Sequence, residues 1–132
     1  MTDVLAKLDA VRRSVKMSSP FRKRSKYNAV RVTIDGFNFA SKREGAYYVG
    51  LRQLAKVGEI RNLICQFPFE LYAAGLDGHS IRIGSYLCDF AYFDLRDNKQ
   101  HFVDVKGVST PVFKLKAKIV KANHGVEIEV VK

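Results

Sequence analysis

The chain is predicted to fold as an α/β protein in which a small mixed β-sheet is flanked by helices. Two observations predict this fold class. Runs rich in β-branched and aromatic residues, typical of strands, surround two segments that carry helix start and stop signals. With 132 residues and 47% hydrophobic content, the chain is also long enough to bury a core of its own.

The first half of the folded part is predicted to form a hairpin, a helix and an extended segment. Asp35-Gly36 is typical of a two-residue hairpin turn. The first helix is expected over residues 41–57, with Ser41 as its N-cap and Gly58 as its stop. The run LICQFPFELYAA that follows has the composition of extended structure, and we expect Pro68 to interrupt it.

The second half is predicted to form a long hairpin, a second helix and a last strand. After a turn at Asp77-Gly78, the strand IRIGSYLCDFAYFDL is expected to reverse at Asp97-Asn98 and return as QHFVDVKG. Thr110-Pro111 places proline at the first position of a helix that runs to about Asn123 and stops at Gly125. The run VEIEVV then predicts a final strand.

The charge balance predicts a polyanionic partner. Lys and Arg number 23 against 13 Asp and Glu, which gives a net charge of +10. Nucleic acid is the first candidate for such a partner and an anionic membrane surface is the second. No apolar run approaches the length of a membrane span and no signal peptide is recognised. Two cysteines without metal-binding spacing, Cys65 and Cys88, fit a reducing cytoplasm.

Residues 1–25 are expected to form a basic N-terminal arm in front of a domain that spans residues 26–132. Apolar residues between positions 3 and 15 have the spacing of a short amphipathic helix. From Arg12 to Arg31 there are eight Lys or Arg and no acid, which fits either a solvated linker or an arm lying along a phosphate backbone. The candidate DNA-binding residues of the arm are Arg22, Lys23, Arg24 and Lys26.

The second helix offers another candidate DNA-binding surface. Lys114, Lys118 and Lys121 form a basic stripe at helical spacing, although a solvated helix face explains the same pattern. The buried side of this helix is expected to consist of apolar residues, namely Val112, Leu115 and Ile119.

Two aspartates and a lysine on the predicted hairpin are candidate catalytic residues. A turn centred on Asp97-Asn98 would place Asp89 opposite Lys106 and Ala91 opposite Asp104. Directly opposed residues and residues two apart point to the same face, so the two aspartates and the lysine would share one face. A solvent-facing strand and a simple Asp89–Lys106 ion pair are the alternatives.

Glu44 is a fourth candidate, near the start of the first helix. It has a purely structural explanation as well, because Ser41-x-x-Glu44 is a capping box in which the glutamate returns to the N-cap amide.

The order Glu44, Asp89, then Asp104-x-Lys106 resembles the PD-(D/E)XK nuclease superfamily. The runs SKRE, GEI, CDF, VDVKG, TPVFKLK and GVEIEVV look like a phage-encoded endonuclease-like family in it. The layout is also similar to that of small phage junction-resolving endonucleases. The resemblance covers roughly residues 26–131 and implies a restriction-endonuclease-like core with the element order αβββαβ. Cys88 stands where the superfamily usually has proline.

The resemblance also implies a metal site and roles for its residues. Asp89 and Asp104 would ligate Mg²⁺, which Mn²⁺ could replace, together with the carbonyl of Val105. Glu44 would complete the shell directly or through water. Lys106 would orient or activate the attacking water. A further residue expected to approach the site is Gln66.

The expected function is therefore that of a metal-dependent DNA endonuclease, with branched DNA such as Holliday junctions among its candidate substrates. A homodimer is expected from the same resemblance, acting in the cytoplasm of a bacterium or a phage-infected host. The alternatives are a non-catalytic nucleic-acid-binding module on a nuclease-like fold and a basic RNA-binding protein. One or two bound metal ions are equally compatible with the sequence.

Overall fold

The structure, a computed structural model, describes residues 30–132. The predicted arm, with Arg22, Lys23, Arg24 and Lys26, lies outside the described residues. The elements are, in chain order, β1 (Val32–Ile34), β2 (Phe37–Phe39), α1 (Lys42–Lys56), β3 (Ile60–Ala74), β4 (Ser80–Asp94), β5 (Lys99–Val105), α2 (Pro111–His124) and β6 (Glu129–Val131).

Strands β3 to β6 form one mixed sheet in the order β3-β4-β5-β6. Strand β4 is antiparallel to both β3 and β5, and β6 runs parallel to β5. Strands β1 and β2 form a separate two-stranded sheet around a turn with positive φ at Asp35 and Gly36. The predicted α/β fold class with a small mixed sheet is confirmed.

Both helices begin and end where their capping residues predict. Ser41 Oγ accepts the N–H of Glu44 at 3.2 Å, and Thr110 Oγ1 accepts the N–H of Phe113 at 3.1 Å. Gly58 and Gly125 follow the helices with φ values of 79° and 67°, in the left-handed region that glycine adopts without strain.

The prediction that Pro68 interrupts the extended segment is wrong, because β3 continues through it. Pro68 pairs with Leu87, and β3 is an edge strand, where a missing N–H breaks no ladder on the open side. Strand β3 is irregular elsewhere: Asn62 and Gln66 both have a φ of 57°, and the register against β4 shifts between Arg61 and Ile64 and between Leu71 and Tyr72. A non-glycine residue in this conformation marks a local break in regular pairing.

The predicted register between β4 and β5 is wrong by two residues. Ala91 pairs with Phe102 rather than with Asp104. The connection is longer than a two-residue turn because the side chain of Asp94 accepts the N–H of Arg96 at 2.9 Å and starts the loop at Leu95. A shift of two preserves the alternation of faces, so the expected proximity of the two aspartates survives the error.

Two hydrophobic clusters pack on the sheet. The boundary between them crosses β3 between Cys65 and Phe67 and crosses β4 between Cys88 and Phe90. The first packs with α1, the second with α2. The buried members of the first cluster are Phe39, Tyr48, Leu51, Ile60, Cys65, Phe90, Tyr92, Val103 and Val105. Those of the second are Phe69, Leu71, Tyr86, Cys88, Phe113 and Val120.

The predicted buried side of the second helix is wrong for two of its three residues. Val112 and Leu115 are 62% and 60% exposed, whereas Phe113 and Val120 are buried in the second cluster. The helix is therefore rotated relative to the expectation. Neither helix in the described part of the chain is long and apolar enough to cross a membrane.

Candidate functional site

Asp89 lies where the ladder between β4 and β5 ends. The last pair is Phe90–Val103, and beyond it the Oδ2 atom of Asp89 accepts the backbone N–H of Val105 at 2.9 Å. The Cys88 thiol faces the carbonyl oxygens of Phe90 and Val103 at 3.5 and 3.3 Å. Side chains thus take over hydrogen bonds at the point where backbone pairing stops, which fixes the Asp89 carboxylate against β5.

Asp104 is the most deeply buried acidic residue among residues 30–132, with 2% exposure. The hydroxyl group of Tyr86 donates a hydrogen bond to its Oδ2 atom. The ammonium of Lys106 lies 3.7 Å from the same oxygen. A buried carboxylate needs such partners, because burial of its charge without compensation costs several kcal/mol.

The carboxyl groups of Asp89 and Asp104 contact each other. Burial is the main factor that raises the pKa of the Asp89 carboxyl. Its hydrogen bond with Asp104 and the charges of Asp104 and Glu44 raise this pKa further, while the N–H of Val105 opposes the shift. A divalent cation between the carboxyl groups would remove the penalty for ionising both.

Lys106 is held at the edge of the site. Its ammonium lies 4.5 Å from the ring centroid of Phe113, and its side chain is 29% exposed. The backbone N–H of Lys106 donates to the carbonyl of Val131 at 2.9 Å, which ties it to β6. The side chain therefore touches a carboxylate and an aromatic face and still reaches solvent.

Glu44 accepts a backbone hydrogen bond at the start of α1, although its partner differs from that of the expected capping box. Its Oε2 atom accepts the N–H of Ala40 at 3.2 Å, one residue before the N-cap Ser41. Burial is the largest of the factors that raise the pKa of its carboxyl. The Ala40 N–H and Lys106 oppose the shift, and the charge of Asp104 adds to it. Glu44 is thus within electrostatic reach of the site.

Within residues 30–132, Asp94, Asp97 and His101 are the one trio of candidate ligand atoms that lie within 4.8 Å of one another. Glu44 therefore does not complete such a trio with Asp89 and Asp104. Direct coordination of one ion by all three carboxylates would require Glu44 to move, since Mg²⁺ holds its oxygens at about 2.1 Å. Coordination through water fits the observed position.

The Asp94–Asp97–His101 trio lies at the opposite end of β5, and its polar atoms have protein partners. Arg96 donates to both carboxylate oxygens of Asp94. The two ring nitrogens of His101 each lie 2.7 Å from a carboxylate, one from Asp97 and the other from Glu129. Burial lowers the pKa of His101, but these carboxylates outweigh it and the net direction is upward. An imidazolium with two acceptors accounts for this cluster without a metal.

Gln66 occupies the position on β3 that lies across from Asp89. The flanking pairs are Cys65–Phe90 and Phe67–Cys88. Its left-handed backbone breaks the pairing there, and its side-chain amide lies 3.4 Å from the carbonyl of Asn38 on β2. Gln66 is therefore beside the site in the sheet.

Two of the three predicted lysines on α2 are free to bind an anion. Lys114 and Lys118 are exposed and have no acidic partner among residues 30–132. Lys121 is different, because its ammonium pairs with Glu127 at 2.6 Å. At the other side of the site, Arg43 extends to within 3.8 Å of where a Cβ on Gly107 would lie.

Two residues that contact the site were not predicted from the sequence, Tyr86 and Phe113. Both are buried in the second cluster, and their rings lie 6.0 Å apart. Aromatic residues in apolar runs are most simply assigned to a core, so the sequence offers no signal that separates these two from the others.

Comparison with known proteins gives a family. No curated protein and no solved structure matches the chain. A family model described as "Protein of unknown function (DUF1064)" matches residues 24–130, which is most of the chain. The protein belongs to the DUF1064 family.

Proposed function

We propose that the protein is a Mg²⁺-dependent DNA endonuclease of the PD-(D/E)XK type. The observation that carries the proposal is the contact between two aspartates, Asp89 and Asp104, with Lys106 at 3.7 Å from the buried Asp104. A purely structural ion pair needs one carboxylate for one ammonium. Here a second carboxyl group, that of Asp89, contacts the first, and burial together with this contact raises its pKa, so ionising both groups is costly unless a cation binds there.

The donor set fits Mg²⁺. Asp89 and Asp104 supply hard carboxylate oxygens, the carbonyl of Val105 is a further candidate ligand, and Glu44 is placed to act through water. Mn²⁺ has similar ligand preferences and is expected to substitute. When bound, the ion would lower the pKa of a water molecule and offset negative charge on the phosphate.

Lys106 would act on the solvent side of the carboxylates. Its ammonium is fixed between Asp104 and the Phe113 ring and still reaches water. From there it can donate hydrogen bonds to an attacking water or to a phosphate oxygen. A positive charge held in place before the reaction stabilises the transition state without the cost of reorganisation.

The rest of the protein supports a polyanionic substrate. The net charge is +10, and the exposed Lys114 and Lys118 lie on α2, which begins a few residues after Lys106. DNA, with branched forms among the candidates, follows from the sequence resemblance. A cytoplasmic location fits the buried thiols of Cys65 and Cys88.

A cleavage assay with a panel of DNA structures tests the proposal. Linear, nicked, flap and four-way-junction DNA would each be incubated with the protein and Mg²⁺. We expect cleavage by the wild type and a loss of about 10²–10³-fold in Lys106→Met, the range seen when a preorganised donor is removed. Asp104→Asn should be inactive, whereas Lys99→Met, on the same strand but at its other end, should cleave normally.

The outcome that contradicts the proposal is full cleavage by Asp104→Asn. Salt-sensitive DNA binding by the wild type without cleavage in Mg²⁺ or Mn²⁺ would instead favour the non-catalytic binding module.

A further inference from the structure

Tyr86 and Lys106 approach the same oxygen of Asp104. The phenol donates to Oδ2, and the ammonium lies 3.7 Å from Oδ2. Oδ2 is therefore the oxygen of this carboxylate that both of these donors approach.

Tyr86 is well placed to fix this asymmetry. It is 6% exposed, and the centroid of its ring lies 6.4 Å from that of Phe69 and 6.0 Å from that of Phe113. Such packing leaves the hydroxyl group little freedom. The hydrogen bond from Tyr86 therefore sets the orientation of the Asp104 carboxylate about its own axis.

The number of oxygens left for metal binding follows from these contacts. A carboxylate that bridges two metal ions offers one oxygen to each. At Asp104, two donors approach Oδ2, and an sp² oxygen has two lone-pair directions. At Asp89, the N–H of Val105 occupies one direction of Oδ2. Tyr86 and Lys106 thus leave Oδ1 of Asp104 for a metal ion, whereas Val105 leaves Oδ1 and one direction of Oδ2 on Asp89.

We propose that Tyr86 is a positioning residue that restricts Asp104 to a single metal-facing oxygen, so that the site takes one divalent cation. This inference rests on the proposed function, because it assumes that the two aspartates bind a metal. Beyond the proposed function, Tyr86 gains a role that the sequence did not predict, and the number of divalent cations is set at one.

Calorimetric titration of the protein with Mg²⁺ and Mn²⁺ tests both parts. We expect one ion per chain in the wild type. Tyr86→Phe keeps the ring and removes the donor, and should bind the ion roughly 10- to 100-fold more weakly, as is typical when the hydrogen-bond partner of a ligand is lost. Tyr92→Phe is the matched control, a buried tyrosine on the same strand that bonds to Tyr47, and should bind normally.

Thermal unfolding in EDTA shows whether the variants are folded, since Tyr86→Phe preserves the packing of the ring. Two ions per wild-type chain, or unchanged affinity in Tyr86→Phe, would overturn the role of Tyr86 even if the wild type cleaves DNA. A wild type that binds no divalent cation would overturn the proposed function and this inference together.

Discussion

The carboxylate of Asp89 accepts the backbone N–H of Val105 at 2.9 Å, one residue beyond Asp104. In a regular ladder that N–H would face a backbone carbonyl. Here a side chain takes its place, and the two aspartates come together at the opening this creates. The end of the pairing between β4 and β5 is what forms the candidate site.

Without metal, the protein should become less stable as pH rises. The pKa of Asp89 is raised in the fold, chiefly by burial and then by Asp104. The folded state thus holds a proton that the unfolded chain releases near its ordinary pKa of 3.8. The stabilisation is complete below that value and is lost as pH rises through the raised pKa. Thermal unfolding in EDTA between about pH 5 and pH 9 measures it.

Asp89→Asn provides the control for this pH dependence. The amide cannot ionise, so the fall in stability with pH should be smaller in the variant. Mg²⁺ should raise the unfolding temperature of the wild type more at high pH than at low pH, because protons and the ion compete for the same oxygens. An identical pH profile in the variant would show that Asp89 is not the group responsible.

Substitution of Glu44 should separate its two possible roles. Glu44→Gln retains an acceptor for the Ala40 N–H but removes the charge, and Glu44→Ala removes both. If the charge matters to the metal, both variants should lose activity, and only Glu44→Ala should also lose the hydrogen bond from Ala40, which contributes about 0.5–1.5 kcal/mol of stability. Cleavage rates and unfolding free energies measured together decide this. Full activity in Glu44→Gln would leave Glu44 as a helix cap alone.

Phe113 should influence the rate through Lys106. The ammonium lies 4.5 Å from the ring centroid, and Phe113→Leu keeps an apolar side chain without the aromatic face. A cation–π contact of ~0.5–2 kcal/mol corresponds to a rate loss of about 2- to 30-fold. Phe113→Tyr should keep most of the rate. Phe67→Leu, in the same cluster, controls for general loosening, and an equal loss there would argue against a specific contact.

The lysines of α2 should differ in their contribution to DNA binding. Lys118 is exposed and unpaired within the described residues, whereas Lys121 is paired with Glu127 at 2.6 Å. Lys118→Ala should reduce the slope of log K against log salt by about 1. Lys121→Ala should change it less, because binding would first have to break the ion pair. Equal slopes in the two variants would contradict the expectation that Lys118 contributes more to DNA binding than Lys121 does.

Two glycines of α1 should respond in opposite ways to substitution by alanine. A Cβ on Gly45 would lie 2.6 Å from Cγ2 of Val32, so Gly45→Ala should push the β1–β2 hairpin away and destabilise the fold. A Cβ on Gly50 would meet nothing within 4 Å, so Gly50→Ala should stabilise the helix by up to about 1 kcal/mol. Denaturant unfolding of both variants provides the comparison.

Local signals in the sequence predicted most of the fold. Capping residues such as Ser41 and Thr110 act over three or four positions, and the structure bears them out. The predicted register between β4 and β5 was wrong because it depends on the length of the loop that joins them. The N–H of Arg96 donates to the side chain of Asp94, which starts the loop at Leu95 and makes it longer than a two-residue turn. The expected proximity of the two aspartates survives this error, because a shift of two residues leaves each side chain on the same face of the strand.

The parts of the site that the sequence did not reveal are set by tertiary packing. Tyr86 reaches Asp104 from the neighbouring strand β4, and Phe113 reaches Lys106 only because α2 packs on the sheet in one particular rotation. That rotation buries Phe113 and leaves Val112 and Leu115 exposed, which the apolar spacing alone did not distinguish. The metal and the DNA substrate stay predictions.

The boundary between the two hydrophobic clusters runs through the candidate site. Val105 belongs to the cluster packed with α1, and Tyr86 and Phe113 belong to the one packed with α2. Because close-packed interiors transmit small displacements, a core substitution distant from the carboxylates can still move the residues of one cluster relative to those of the other at the site. Catalysis would then depend on how rigidly the two halves of the protein are joined, and a folded, stable variant with a loosened junction could lose its activity.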